Sequence, residues 1–85
     1  MIQQTVSLNK KNGMYAQTIN QLVQAASRFN SDLYLTHKGR KVNLKSVLGI
    51  MSLGIPRQAE IIVEASGHDE KEALEQIIET LAAFK

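Results

Sequence analysis

The sequence predicts a two-layer sandwich in which three amphipathic helices cover one face of a four-stranded sheet. Three observations predict it. Ile2 to Leu8 alternates apolar with polar side chains, the period of a half-buried strand. From Ala16 the apolar period becomes that of a helix, and it does so again near the end of the chain. Between these, short strand-like and helix-like segments follow in the order β-α-β-β-α-β-α. Four short strands cannot bury both faces of a sheet alone, and helices on one face solve this.

In the first strand Ile2, Gln4, Val6 and Leu8 share a face. Asn9-Lys10-Lys11-Asn12-Gly13 is a polar turn region. Ala16, Ile19, Leu22, Val23, Ala26 and Phe29 recur at helical spacing, and this helix is expected to end near Asn30-Ser31. Leu33 and Leu35 alternate with Tyr34 and Thr36 in a second strand. Lys38-Gly39 turns the chain into a short third strand, Arg40 to Asn43. A short helix follows Ser46 and is broken by Gly54-Ile55-Pro56-Arg57. Glu60 to Ala65, rich in β-branched residues, is the fourth strand. In the last helix Ala73, Leu74, Ile77, Ile78 and Leu81 form the apolar stripe. Asp69 is placed to cap it, with Glu72 three residues on as in a capping box. Joined through a helix, the first two strands should run parallel with another strand between them, a split crossover.

At 85 residues the chain makes one domain, residues 1–85, with a modest core and little room for a deep catalytic cleft. Its 44% hydrophobic content argues for a globular chain over a disordered one. Cysteine is absent, which excludes disulfides, thiol nucleophiles and thiolate metal sites. Met1-Ile2-Gln3-Gln4-Thr5 lacks the charged and apolar regions of a signal peptide, and no apolar run approaches a membrane span. A soluble cytoplasmic protein is therefore expected. Net charge is +2. Lys10, Lys11, Lys38, Arg40, Lys41 and Lys45 are candidates for a basic surface that attracts nucleic acid or an acidic protein. Tyr15, Phe29, Tyr34 and Phe84 are the aromatic residues, too few for a row of base-stacking platforms.

His37 and His68 stand apart, with no metal-ligand spacing and no triad pattern, and both are expected to be solvated. Glu60 and Glu64 should share a solvent face, while Glu70, Glu72, Glu75 and Glu79 decorate the last helix. Neither set converges on acid–base chemistry. Gly49 and Gly54 do not form a phosphate-binding loop. No enzymatic activity, metal or cofactor is expected.

Two stretches carry more information. Ser46 stands where an N-cap belongs, with Lys45 beside it. Val47, Leu48, Ile50, Met51 and Leu53 behind it are too many for the single stripe a short helix can bury. Some of them should face water or a partner. From spacing alone the simpler account is a capping serine on a buried helix. The other account is a phosphorylation switch beside a docking surface. The second stretch, Gly13-Met14-Tyr15-Ala16-Gln17-Thr18-Ile19, places Tyr15 at the positive end of the first helix, where an anionic group is favoured. Its simpler account is an aromatic that covers the helix entrance.

In this order and on this strand–helix pattern, the two stretches resemble the HPr family of the sugar phosphotransferase system, over nearly the whole chain. Val42-Asn43-Leu44-Lys45-Ser46-Val47-Leu48-Gly49-Ile50-Met51-Ser52-Leu53-Gly54-Ile55 closely resembles the regulatory serine segment of HPr proteins from Gram-positive bacteria. Asp32, Gly39, Glu60-Ile61, Ala65, Gly67 and Glu72-Ala73-Leu74 fit the same frame. The resemblance implies an α+β fold, an open-faced sandwich whose four-stranded sheet is mainly antiparallel. The family's phosphocarrier pattern is glycine, aliphatic, histidine, alanine, arginine, proline, alanine. Gly13, Met14 and Ala16 match it, but Tyr15 stands in the place of the histidine, Gln17 of the arginine and Thr18 of the proline. A phosphocarrier needs a nitrogen nucleophile, and a tyrosine phosphate is a stable ester that would trap the group. Loss of the arginine removes a guanidinium fork for the phosphoryl oxygens.

A chain that keeps the serine segment and lacks the histidine resembles the Crh branch of the family, which acts in carbon catabolite repression. That resemblance implies a phosphoprotein modified on Ser46 by HPr kinase/phosphorylase. It would then bind the repressor CcpA as a corepressor in transcription regulation, touching neither DNA nor membrane itself. Lys45, Val47, Leu48, Met51 and Gln17 become the expected partner-binding residues. A homodimer by exchange of the first strand, hinged at Asn9 to Gly13, is expected of that branch. With the resemblance counted, the switch account of Ser46 prevails. The alternatives are a diverged HPr-like domain with another regulatory partner and a small RNA-binding module. The second has less support, because the charge is near neutral and no RNA motif is present.

Overall fold

The computed structural model describes residues 1–8 and 14–83. Its elements are β1 (Ile2–Ser7), α1 (Ala16–Ala26), β2 (Asp32–His37), β3 (Arg40–Asn43), α2 (Val47–Met51), β4 (Glu60–Ser66) and α3 (Glu70–Ala83), in the order the sequence predicts. The strands form one sheet in the order β1-β4-β2-β3, and every neighbouring pair is antiparallel. β1 and β2 are both antiparallel to β4 and so run parallel to each other with β4 between them, the expected split crossover. The expected turn region Asn9 to Gly13, with Lys10 and Lys11, lies outside the described residues.

Strand alternation decides which face the helices cover. Ile61, Val63 and Ala65 of β4 and Leu33 and Leu35 of β2 are buried beneath them. Ile19, Leu22 and Ala26 of α1, Ile50 of α2, and Ala73, Ile77 and Leu81 of α3 close the core from the other side. β1 contributes less: Ile2 and Val6 are half-buried, and Gln4 on the same face is exposed. The opposite face of the sheet stays open. The hairpin between β2 and β3 has two residues at positive φ, Lys38 at 50° and Gly39 at 80°. That is the turn whose twist matches the twist of paired strands.

Four expectations are corrected. First, α1 ends at Ala26 and not near Asn30-Ser31. Ser27 turns its hydroxyl back onto the Val23 carbonyl at 2.8 Å. The Asn30 and Ser31 amides are taken by a residue far along the chain, each donating to the Asp69 carboxylate at 2.9 Å. The Ser31 hydroxyl donates to the same carboxylate. Second, the Asp69 side chain is therefore spent on that turn and does not cap α3, although the Asp69 carbonyl accepts from the Ala73 amide at 2.9 Å. The acid that reaches back is Glu70, which accepts from the Gly67 amide at 3.1 Å. The two junctions, α1–β2 and β4–α3, meet closely. A Cβ on Gly67 would lie 2.6 Å from Ser31 Oγ and 2.8 Å from its Cα. Third, His37 is buried, 8% exposed, because it continues the inward phase of Leu33 and Leu35; His68 is exposed as expected. Fourth, Glu64 lies on the open face with Glu60 but is only 8% exposed. Lys41 pairs with it at 3.1 Å while standing over the Tyr34 ring at 4.7 Å.

Candidate functional site

The chain enters α2 through a tight turn. The Asn43 side chain accepts from the Lys45 amide at 2.8 Å, and the Asn43 carbonyl accepts from the Ser46 amide at 3.1 Å. This delivers Ser46 in an extended conformation, φ −117° and ψ 113°, as the N-cap of α2. Its Oγ accepts from the Gly49 amide at 3.0 Å, satisfying one of the orphan donors of the first turn. A Cβ on Gly49 would come within 3.2 Å of that Oγ, so the glycine leaves room for the serine oxygen. At the other end the Ser52 hydroxyl donates to the Gly49 carbonyl at 2.6 Å.

The five residues of α2 divide as a short helix must. Ile50 is buried and Val47 half-buried. Leu48 is 80% exposed and Met51 51% exposed. Two large apolar side chains thus stand in solvent beside the capped serine, as the sequence anticipates. Lys45 is placed differently. Its ammonium donates to the Phe29 carbonyl at 2.8 Å, which binds it to the turn after α1.

Tyr15 is the N-cap of α1, at φ −110° and ψ 171°, and is 53% exposed. The Thr18 hydroxyl accepts from the Tyr15 amide at 3.2 Å and donates to the Tyr15 carbonyl at 3.0 Å. Thr18 is buried and Gln17 is exposed. α1 and α2 pack against each other on the covered face of the sheet, so both helix starts belong to the helical layer. The four candidate cations that lie among the described residues, Lys38, Arg40, Lys41 and Lys45, do not share one surface. Lys41 is engaged on the open face with Glu64, whereas Lys45 is engaged in the helical layer.

Sequence reasoning missed Gly49 and Ser52 as parts of the site. For Gly49 the spacing from Ser46 held the signal. A residue three positions after an N-cap offers the amide that the cap takes.

Fold and site together define a small α+β module whose marked features are hydroxyl groups at the starts of two helices. The model of the PTS HPr component phosphorylation site matches residues 2–83, and the chain belongs to the HPr family. HPr-C-His from Thermoanaerobacter tengcongensis is 34% identical and superposes with a TM-score of 0.93, over 98% of this chain and 93% of that one. The phosphocarrier protein HPr of Bacillus anthracis is 38% identical, with a TM-score of 0.89 over 94% of this chain and 95% of that one. Crh of Bacillus subtilis, a catabolite repression protein solved as a dimer with a swapped domain, is 41% identical. Its TM-score is 0.78, over 96% of this chain and 94% of that one. The chain is thus similar both to HPr and to Crh.

Proposed function

We propose that this chain is a Crh-like regulator of carbon catabolite repression, acting in the cytoplasm as a phosphoprotein and not as an enzyme. HPr kinase/phosphorylase modifies Ser46, and the modified form binds a CcpA-type repressor as its corepressor. The observation that carries this reading is the capped Ser46 beside the exposed Leu48 and Met51. A phosphate adds about −1.5 to −2 charges and strong acceptor oxygens. At the start of a helix that charge is favoured by roughly 0.3–1 kcal/mol when exposed. The modification therefore leaves the core alone and changes the surface. Arginine or lysine on the repressor meets the phosphate, and Leu48, Met51 and the edge of Val47 supply the apolar contact. Lys45 joins that contact only by leaving the Phe29 carbonyl. Gln17, exposed on α1, is the further contact residue.

The same reading makes the chain no relay for phosphoenolpyruvate-derived phosphate. Tyr15 at the start of α1 offers a phenol where the family pattern has an imidazole. A homodimer by strand exchange is part of the proposal, supported by the swapped domain of the Crh relative.

The test is intact mass after incubation with HPr kinase/phosphorylase and ATP, followed by calorimetry of CcpA against both forms. One added phosphate, absent from Ser46→Ala, and binding by the phosphorylated form alone are expected. Equal affinity for both forms, or none for the phosphorylated form, would sink the mechanism.

A further inference from the structure

At the end of the open sheet face where β2 turns into β3 lies a hollow of about 450 Å³. That volume is in the range of small-molecule sites. Its floor is one rung across three strands: Thr5 of β1 and Thr36 of β2 are both register partners of Ile62 of β4. Two hydroxyl groups therefore flank an aliphatic side chain. The hairpin residues Lys38 and Gly39 form one wall, and residues 56–59, with Arg57, form the other.

Three further observations concern this hollow. Lys38 and Arg57 are exposed and have no ion pair among the described residues; the carboxylate lining the hollow is Glu60. His37 borders it at the end of β2, although its side chain continues the inward phase of Leu33 and Leu35 and does not form the floor. Lys38 and Gln58, at φ 50° and 64°, are the two non-glycine residues at positive φ among the described residues, and each wall holds one. The hairpin turn accounts for Lys38; at Gln58, outside the hairpin, an L side chain rarely adopts that conformation, and such residues concentrate where surroundings hold a loop for binding.

We infer that this hollow binds a small organic oxyanion with an apolar body, a carboxylate or a phosphate monoester. The Arg57 fork and the Lys38 ammonium take the oxyanion. Ile62 takes the apolar body, and Thr5 and Thr36 its polar edge. Glu60 repels a second anionic group, so a ligand with a single oxyanion group is preferred. The site is on the face of the sheet away from Ser46 and stands independently of the switch.

The experiment is a titration of the isotope-labelled full chain with benzoate, phenyl phosphate and neutral benzyl alcohol, followed by amide NMR. Saturable shifts at Thr5, Thr36, Gly39, Gln58 and Ile62 with an anion, and none with the alcohol, are expected. Saturation by benzoate assigns a carboxylate ligand; saturation by phenyl phosphate alone assigns a phosphate ester. Arg57→Gln should weaken binding by about tenfold. Lys38→Asn, which keeps a left-handed turn accessible, should also weaken it. Both residues are exposed, so each variant should keep the fold. No saturable shift with either anion, or shifts unchanged in both variants, overturns the proposal.

Discussion

Ser46 already places an oxygen against the first-turn amide of α2, where a phosphate oxygen can take over the same donor. The two roles of the residue separate in one variant. Ser46→Ala should lose about 0.5–2 kcal/mol of stability in urea unfolding, the usual worth of an N-cap. The same variant should show no mass increase with kinase and ATP. Asp69 gives a second prediction. Hydrogen bonds, first from the Ser31 hydroxyl and then from the Asn30 amide, hold its carboxyl below the usual carboxylate range. A depressed folded pKa means that the contribution is fully present above the unfolded value and is lost as pH falls through the folded one. The gap in urea midpoint between the wild-type chain and Asp69→Ala should therefore be constant near neutrality. It should begin to close as pH falls into the ordinary range near about 4. Gly67→Ala should be more damaging than a surface change. It brings a Cβ to 2.8 Å from the Ser31 backbone, at a position with φ 153°. A loss above about 2 kcal/mol is expected by the same urea measurement.

At the scale of elements, α2 is short enough that its faces are fully divided. Ile50 anchors it, while Leu48 and Met51 face out. Met51→Asp should leave the urea midpoint nearly unchanged and weaken CcpA binding of protein already phosphorylated, as calorimetry would read. Unchanged affinity would remove Met51 from the interface. The sequence showed this division because it follows from counting apolar residues against a helix circumference. It showed all seven elements for a similar reason: period and punctuation are local. What it did not show is long-range. α1 reads as continuing to Asn30 because Phe29 is in phase, yet the Asn30 and Ser31 amides are captured by Asp69, whose own position reads as a cap. Glu64 reads as solvated because its partner Lys41 lies on a strand two places away in the sheet. His37 is a different case. The alternation of Leu33 and Leu35 pointed inward and only had to be continued by one step. The engagement of Lys45 by the Phe29 carbonyl had no local signal.

The whole molecule decides two outcomes that no single residue does. Incubated with Enzyme I and labelled phosphoenolpyruvate, the chain should remain unlabelled; acid-labile label would overturn its exclusion as a carrier. Tyr15→His should restore partial activity at most, because Gln17 still lacks the guanidinium fork. The second outcome is assembly. β1 lies at an edge and pairs with β4 alone, from Ile2↔Ala65 to Ser7↔Glu60. A second copy of β4 offers the same register, so exchange conserves every rung. Sedimentation at high concentration should show monomer and dimer together, and monomer alone after long storage would count against exchange.

The position of β1 beside β4 also bears on how the chain is made. Synthesis runs from the amino end, so β1 emerges long before the strand that completes it. Ile2 and Val6 have no β4 to pair with until the ribosome has read as far as Ala65. Where strands exchange as proposed, that wait is the interval in which the β4 of another, finished chain can take β1 before its own partner exists.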